Sequence, residues 1–354
     1  MTVLSVLDQG PVRRDAGPRQ AIHDSVTVAR ELDTAGYARY WVAEHHGTAS
    51  RAISAPEVLI GAIASATTRS RVGAGGTMLP NHTPLHVAEQ FRILHTLYPG
   101  RIDLGVGRAT GATDAVTGAA PARGLQGDPA PARGLQQDRD VFDASLRELL
   151  AFGGRREFPA GAAAGDADIR VMPDDVPLPP VYLLGSSASA ARTAAALGLP
   201  YAMTAGFRDP ALAVEGLRLY RQRFTPARDG DHPYAIVVLR AWVGDDREHA
   251  EALAAPERLA NVWQLAGDAA ALVPVHEALA YRFSEPERAV RDRLDLRSDL
   301  VGGPAEVADQ LAALAGASGA DEVMLVTNTY EPADRVASFR RLAAAVGLAA
   351  PASA

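Results

Sequence analysis

The feature of this sequence that most narrows its fold is an alternation of short apolar runs with longer amphipathic ones, sustained over much of its 354 residues. Val3–Leu7 reads as a strand. Pro18–Ala35 reads as its helix, with Ile22, Val26, Ala29 and Leu32 near helical spacing and Gly36 as the stop. Tyr40–Ala43 and Ala55–Thr67 repeat the unit. Arg71–Gly75 follows, then a helix whose start pairs Thr83 as N-cap with Pro84 in the first turn. Ile102–Val106, Val181–Leu184, Tyr201–Met203, Ala235–Val243 and Glu322–Thr327 complete eight expected strands, with helices at Asp138–Ala151, Ser187–Leu197, Pro210–Phe224 and Ala333–Ala345. Strands separated by helices run parallel. Eight units favour a (β/α)8 TIM barrel, although the count alone leaves an open doubly wound sheet possible.

The expected architecture is therefore α/β, one domain over 1–354, with insertions after the fourth and seventh strands. The first, 109–135, is rich in Gly, Ala and Pro and carries PARGLQ twice, at Pro121–Gln126 and Pro131–Gln136. Two six-residue copies cannot build a solenoid, so this segment reads as a mobile loop and a candidate lid. The second, 246–300, reads as helical and charged with no clear strand.

Composition removes several chemistries. The chain has no cysteine, and all 35 basic residues are Arg. Disulfides, thiolate nucleophiles, Schiff bases and a phosphate-loop lysine are excluded. The net charge is −7 and the arginines are scattered, which argues against a nucleic-acid partner. The first residues, MTVLSVLDQGPVRR, place basic residues after a short apolar run, the reverse of a signal peptide. No run approaches the length of a membrane span. A cytoplasmic protein is the expectation.

In a parallel barrel the active site gathers at the carboxyl ends of the strands. Polar and glycine residues collect there: Asp8-Gln9-Gly10, Glu44-His45-His46, Gly75-Gly76-Thr77-Met78, Gly105-Val106-Gly107-Arg108 and Gly185-Ser186-Ser187. A histidine at a strand end is suited to proton transfer, or simply caps and packs. Adjacent strand residues face opposite ways, so His45 and His46 do not turn to one metal, and His82 and His86 do not share a helical face. No metal site is expected. Gly105 to Gly111 scans as GxGxxxG, but no helix starts there, so a dinucleotide fold loses on context. Arg108 offers a guanidinium fork for phosphate, and Ser186-Ser187 before a helix offers hydroxyls and free amides, unless the serine only caps.

Four stretches, WVAEHHG, VGAGGTMLPNHTPLHVAEQFRILHTLYPGRIDLGVGRATG, VYLLGSSASAARTAAALGLP and the tail from VGGPAEVADQL to VASFRRLA, resemble the bacterial luciferase-like flavin-dependent monooxygenases, in order and over nearly the whole chain. The resemblance is weakest in 109–180 and 245–298. It implies the (β/α)8 barrel, reduced FMN as cofactor and a separate flavin reductase that supplies it. It makes His45 the catalytic histidine, assisting formation and breakdown of a flavin hydroperoxide. It places Gly75-Gly76 beneath the isoalloxazine, at a non-proline cis peptide, and Arg108, Ser186 and Ser187 on the phosphate. Gly107 stands where luciferase has a reactive cysteine. Glu44, Met78 and Gly185 complete the expected cofactor contacts. The implied reaction is oxygenation of a small organic substrate by dioxygen, in natural-product tailoring if the arginine-only, alanine-rich composition is a guide, by a homodimer. A deazaflavin-dependent oxidoreductase of the same fold and a non-catalytic flavin-binding protein are the alternatives.

Overall fold

The computed structural model describes residues 2–108, 135–154, 169–205, 210–268, 270–294 and 299–348. Eight parallel strands close on themselves: β1 (Val3–Asp8), β2 (Arg39–Val42), β3 (Arg71–Met78), β4 (Ile102–Gly107), β5 (Val181–Gly185), β6 (Tyr201–Thr204), β7 (Ala235–Val243) and β9 (Glu322–Val326). Pairing runs from β1 to β7 in sequence order, with β6 against β7, β7 against β9 and β9 back to β1. This is the expected (β/α)8 barrel. A short extra strand, β8 (Leu300–Gly302), pairs with the far end of β7 and stays outside the ring.

Around the barrel lie α1 (Gly17–Leu32), α2 (Pro56–Ala66), α3 (Pro84–Leu97), α4 (Leu135–Phe152), α5 (Ala188–Leu197), α6 (Pro210–Arg223), α10 (Pro304–Ser318) and α11 (Pro332–Ala345). Between β7 and β8 come α7 (Arg247–Leu265), α8 (Val275–Ala280) and α9 (Glu285–Arg291). The expected lid at 109–135 lies, apart from Leu135 at the start of α4, outside the described residues.

Strand alternation sorts the side chains into two cores. Leu4, Val6, Tyr40, Val42, Val72, Ala74, Leu104, Val237 and Leu325 face outward and pack under the helices. Leu7, Trp41, Tyr182, Leu184, Ala202, Ile236, Val238, Met324 and Val326 face inward and fill the barrel. Below them the floor is charged. Arg39 donates to Glu322 at 2.9 Å and to Asp103 at 2.8 Å, Trp41 Nε1 donates to Asp103 at 3.1 Å, and Tyr234 Oη donates to Glu322 at 2.6 Å. Each carboxylate is fully buried and answered by a cation or a donor, which is the condition for keeping charge in a dry interior. The interior is a packed plug, so any ligand must enter at the opposite, carboxyl end.

Candidate active site

One cavity of about 520 Å3 opens at that end, over β3 to β6. Gly75, Gly76, Met78, Gly107, Arg108, Gly185, Ser186 and Ser187 all line it, so one space collects eight residues that the sequence spread over more than a hundred positions. Leu183 and Leu184 form apolar wall, while Phe142 and Asp143 of α4 and Ser189, Ala190 and Thr193 of α5 close the side. A cavity of this size, with apolar wall on one side and convergent polar groups on the other, can take a cofactor-sized ligand.

The glycines fit this use. A Cβ at Gly76 would stand 3.0 Å from Gly105 O and 3.2 Å from Leu184 Cδ1, and a Cβ at Gly107 would stand 3.3 Å from Met78 Sδ. Larger residues would fill the wall where a planar ligand needs to lie close to backbone. The Gly75–Gly76 peptide is cis, as the resemblance implied.

Ser187 is the N-cap of α5, its Oγ accepting from Ala190 N at 3.2 Å. The first amides of an α-helix have no acceptor within the helix and carry the positive end of its dipole. Gly198 ends this helix in the left-handed region at φ 63°, where an added Cβ would meet Ala227 N at 2.7 Å. Arg108 lines the same cavity as the start of α5, and a guanidinium beside a helix N-terminus is chemistry suited to an anion. Capping and anion binding are thus compatible at Ser187, since the cap uses one lone pair of a hydroxyl that also has a proton to donate.

Two expected residues do not line the cavity. His45 lies three residues past the end of β2, and its backbone N donates to Ile53 O at 2.8 Å. Its Nδ1 is sealed from solvent and has no partner among the described residues. Burial, reinforced by the nearby Arg51 and His46, pushes its pKa down to about 3, so the imidazole is neutral at physiological pH.

Glu44 is fully buried. Its Oε2 accepts from Met78 N at 2.8 Å; its Oε1 lies 2.6 Å from His46 Nε2, 2.9 Å from His82 Nε2 and 3.4 Å from Asn81 Nδ2. Burial opposes its ionisation, but the bonds from His82, His46 and Met78 outweigh that and hold its pKa below the ordinary value. Among the described residues no cluster of His, Asp and Glu has the form of a metal site.

A second polar group sits at the same end, across the barrel. Arg51 Nη2 donates to Glu257 of α7 at 2.6 Å, and Asn328 Nδ2 donates to both Gln9 at 2.8 Å and Glu257 at 3.2 Å. Arg240, inward on β7, pairs with buried Asp299, whose pKa burial raises to about 6 despite that partner. Of these residues only Gln9 stood among the strand-end groups singled out in the sequence; Arg51, Glu257, Asn328, Arg240 and Asp299 were passed over, as were Asp143 and Thr193 of the cavity lining. A signal existed for Thr193, because Ser189 and Thr193 stand four residues apart on one face of the helix that Ser187 caps. None existed for the Arg51–Glu257 pair, whose partners are 206 residues apart.

Residues 2–322 match the family model described as luciferase-like monooxygenase. A luciferase-like monooxygenase of Escherichia coli is 36% identical over 335 residues, covering 95% of this chain and 94% of that protein. Among solved structures, apo-MsnO8 superposes with a TM-score of 0.82 at 33% identity, covering 99% of this chain and 100% of its own. The oxygenating constituent of 3,6-diketocamphane monooxygenase from Pseudomonas putida, solved in complex with FMN, shares the fold with a TM-score of 0.69 at 19% identity, over 97% of both chains. By both sequence and fold this chain belongs to the luciferase-like monooxygenase family, whose members are oxidoreductases.

Proposed function

We propose that the protein is a monooxygenase that uses reduced FMN and dioxygen to oxygenate a small organic substrate, with the FMN delivered by a separate reductase. The observation that carries this reading is the convergence of Arg108, the capped start of α5 and the Gly75–Gly76 backbone on one cavity. The FMN complex of the diketocamphane enzyme, which has the same fold, supports the choice of cofactor.

In this reading Arg108 and the Ser186 and Ser187 hydroxyls hold the phosphate, and Gly75, Gly76 and Gly107 leave room for the ring. Bound in its reduced form, FMN would supply the electrons that activate dioxygen. Leu183 and Leu184 keep that wall free of water. His45 works from its neutral form, which offers one ring nitrogen as acceptor and the other as donor. It can therefore pass a proton without ever being a stable cation.

The direct experiment compares FMN with riboflavin, which lacks the phosphate. Arg108→Ala is expected to weaken FMN by roughly tenfold or more, the scale of a lost charge-assisted hydrogen bond, and to leave riboflavin nearly unchanged. Equal losses for the two ligands would remove the phosphate from this corner. Tighter binding of a deazaflavin coenzyme than of FMN would replace the oxygenase reading with hydride transfer.

A further inference from the structure

Glu44 does not line the cavity, yet apart from His46 its polar partners all come from the segment that leaves the cavity wall at Met78. The chain leaves β3 at Met78, makes a 3-10 turn over Leu79–Asn81, passes His82 and enters α3 at its Thr83 N-cap. Glu44 gathers Met78 N, Asn81 Nδ2 and His82 Nε2 from this stretch on one carboxylate, and His46 approaches the same oxygen as His82. Extended spacing explains the His46 contact, since residues i and i+2 share a face. Three of these donors come from five consecutive residues, which do not otherwise need to fold back around a buried anion.

We infer that Glu44, with His46 and His82, is a positioning clasp that fixes Met78 and the Gly75–Gly76 backbone as the ring-facing wall of the flavin site. The inference rests on the flavin reading of the cavity. Met78, Gly75 and Gly76 all line that cavity and none carries charge. A fault in the clasp should therefore disturb the fit of the ring and leave the phosphate corner at Arg108 intact. His82 is half-buried, and its bond to Glu44 raises its pKa, with Glu57 adding a weaker attraction. Each partner thus favours the charged form of the other, Glu44 as the anion and His82 as the cation.

Two measurements on the purified protein test this. The first follows the imidazole signals of His82 and His46 by NMR titration without flavin. In wild type His82 should titrate above the ordinary histidine value, and in Glu44→Gln it should fall back toward it. An unmoved His82 in a folded Glu44→Gln protein would overturn the clasp. The second measures oxidised FMN and riboflavin affinities. Glu44→Leu should weaken both by the same factor, roughly tenfold for the loss of a buried charged acceptor, in contrast to the FMN-selective loss in Arg108→Ala.

Glu44→Gln keeps an acceptor for Met78 N, and should show a smaller loss that is again equal for the two flavins. It carries the test if Glu44→Leu does not fold. Unchanged affinities in the Glu44 variants, with a wild type that binds flavin, would overturn the clasp alone. A wild type that binds neither flavin would overturn the reading of the cavity and the inference with it, even if the imidazole titration behaved as expected.

Discussion

At the scale of single residues, environment decides which groups can do chemistry. His45 was legible in the sequence as a histidine at a strand end, but its protonation state was not, because that depends on burial and on Arg51. The neutral form has a consequence for stability. Unfolded, His45 binds a proton below pH about 6.5; folded, it resists doing so until about 3. Between these values the unfolded state holds more protons, so this group makes the fold progressively less stable as pH falls. His45→Gln should therefore narrow the gap in Tm between pH 8 and pH 5, and calorimetry at the two values checks it; a gap as wide as wild type would place His45 in contact with solvent.

The same variant position serves function. His45→Ala is expected to retain FMN binding and to lose most product formation, by a factor of about 100 or more for a lost acid–base group. Undiminished turnover with bound FMN would remove His45 from the reaction. Glycine is equally constrained at Gly105 in β4, where an added Cβ would stand 2.2 Å from Ala74 O, a backbone atom of the neighbouring strand. Gly105→Ala should cost about 1–3 kcal/mol of stability by overpacking, measured by chemical denaturation. No measurable loss would mean that β3 and β4 can move apart there.

At the scale of elements, local pattern and tertiary closure divide the account between them. The barrel strands were legible because each is a short apolar run between turn residues. The three-residue β8 was not, since Leu300–Gly302 is extended only by pairing with Ala241–Val243. The helix at Pro304–Ser318 also escaped the periodicity, because alanine at so many positions blurs the difference between its faces. The helices between β7 and β8 matter through one contact: α7 reaches the mouth of the barrel by Glu257, which is buried against Arg51. Glu257→Leu would leave that guanidinium buried without a counter-charge, at a cost of about 3–5 kcal/mol. Glu257→Gln should cost clearly less, because an amide oxygen still accepts from Arg51. Equal denaturation midpoints for the two variants would mean that water reaches Arg51.

At the scale of the whole molecule, a charged, packed floor closes one end of the barrel among the described residues, and the strand ends at the other end line the cavity. Eight expected cofactor residues meet at one cavity because the fold is a closed cylinder: on an open sheet, β3 and β5 would contribute to the same edge, but α4 and α5 would not wall a common space. The sequence could indicate which residues stand at strand ends. It could not indicate that the mouth divides into a glycine-lined side over β3 to β6 and a charged side at Arg51, Glu257, Asn328 and Arg240, because that division arises from contacts between distant segments.

The claim on which the account turns is the orientation of FMN in that cavity, and a crystal structure of the protein with FMN measures it. The account predicts the phosphate within hydrogen-bond distance of the Arg108 guanidinium and the Ser187 hydroxyl, with the ring against Gly75 and Gly76. Density for the phosphate at the Arg51 and Arg240 side of the mouth, with Arg108 and the start of α5 left to solvent, would contradict it.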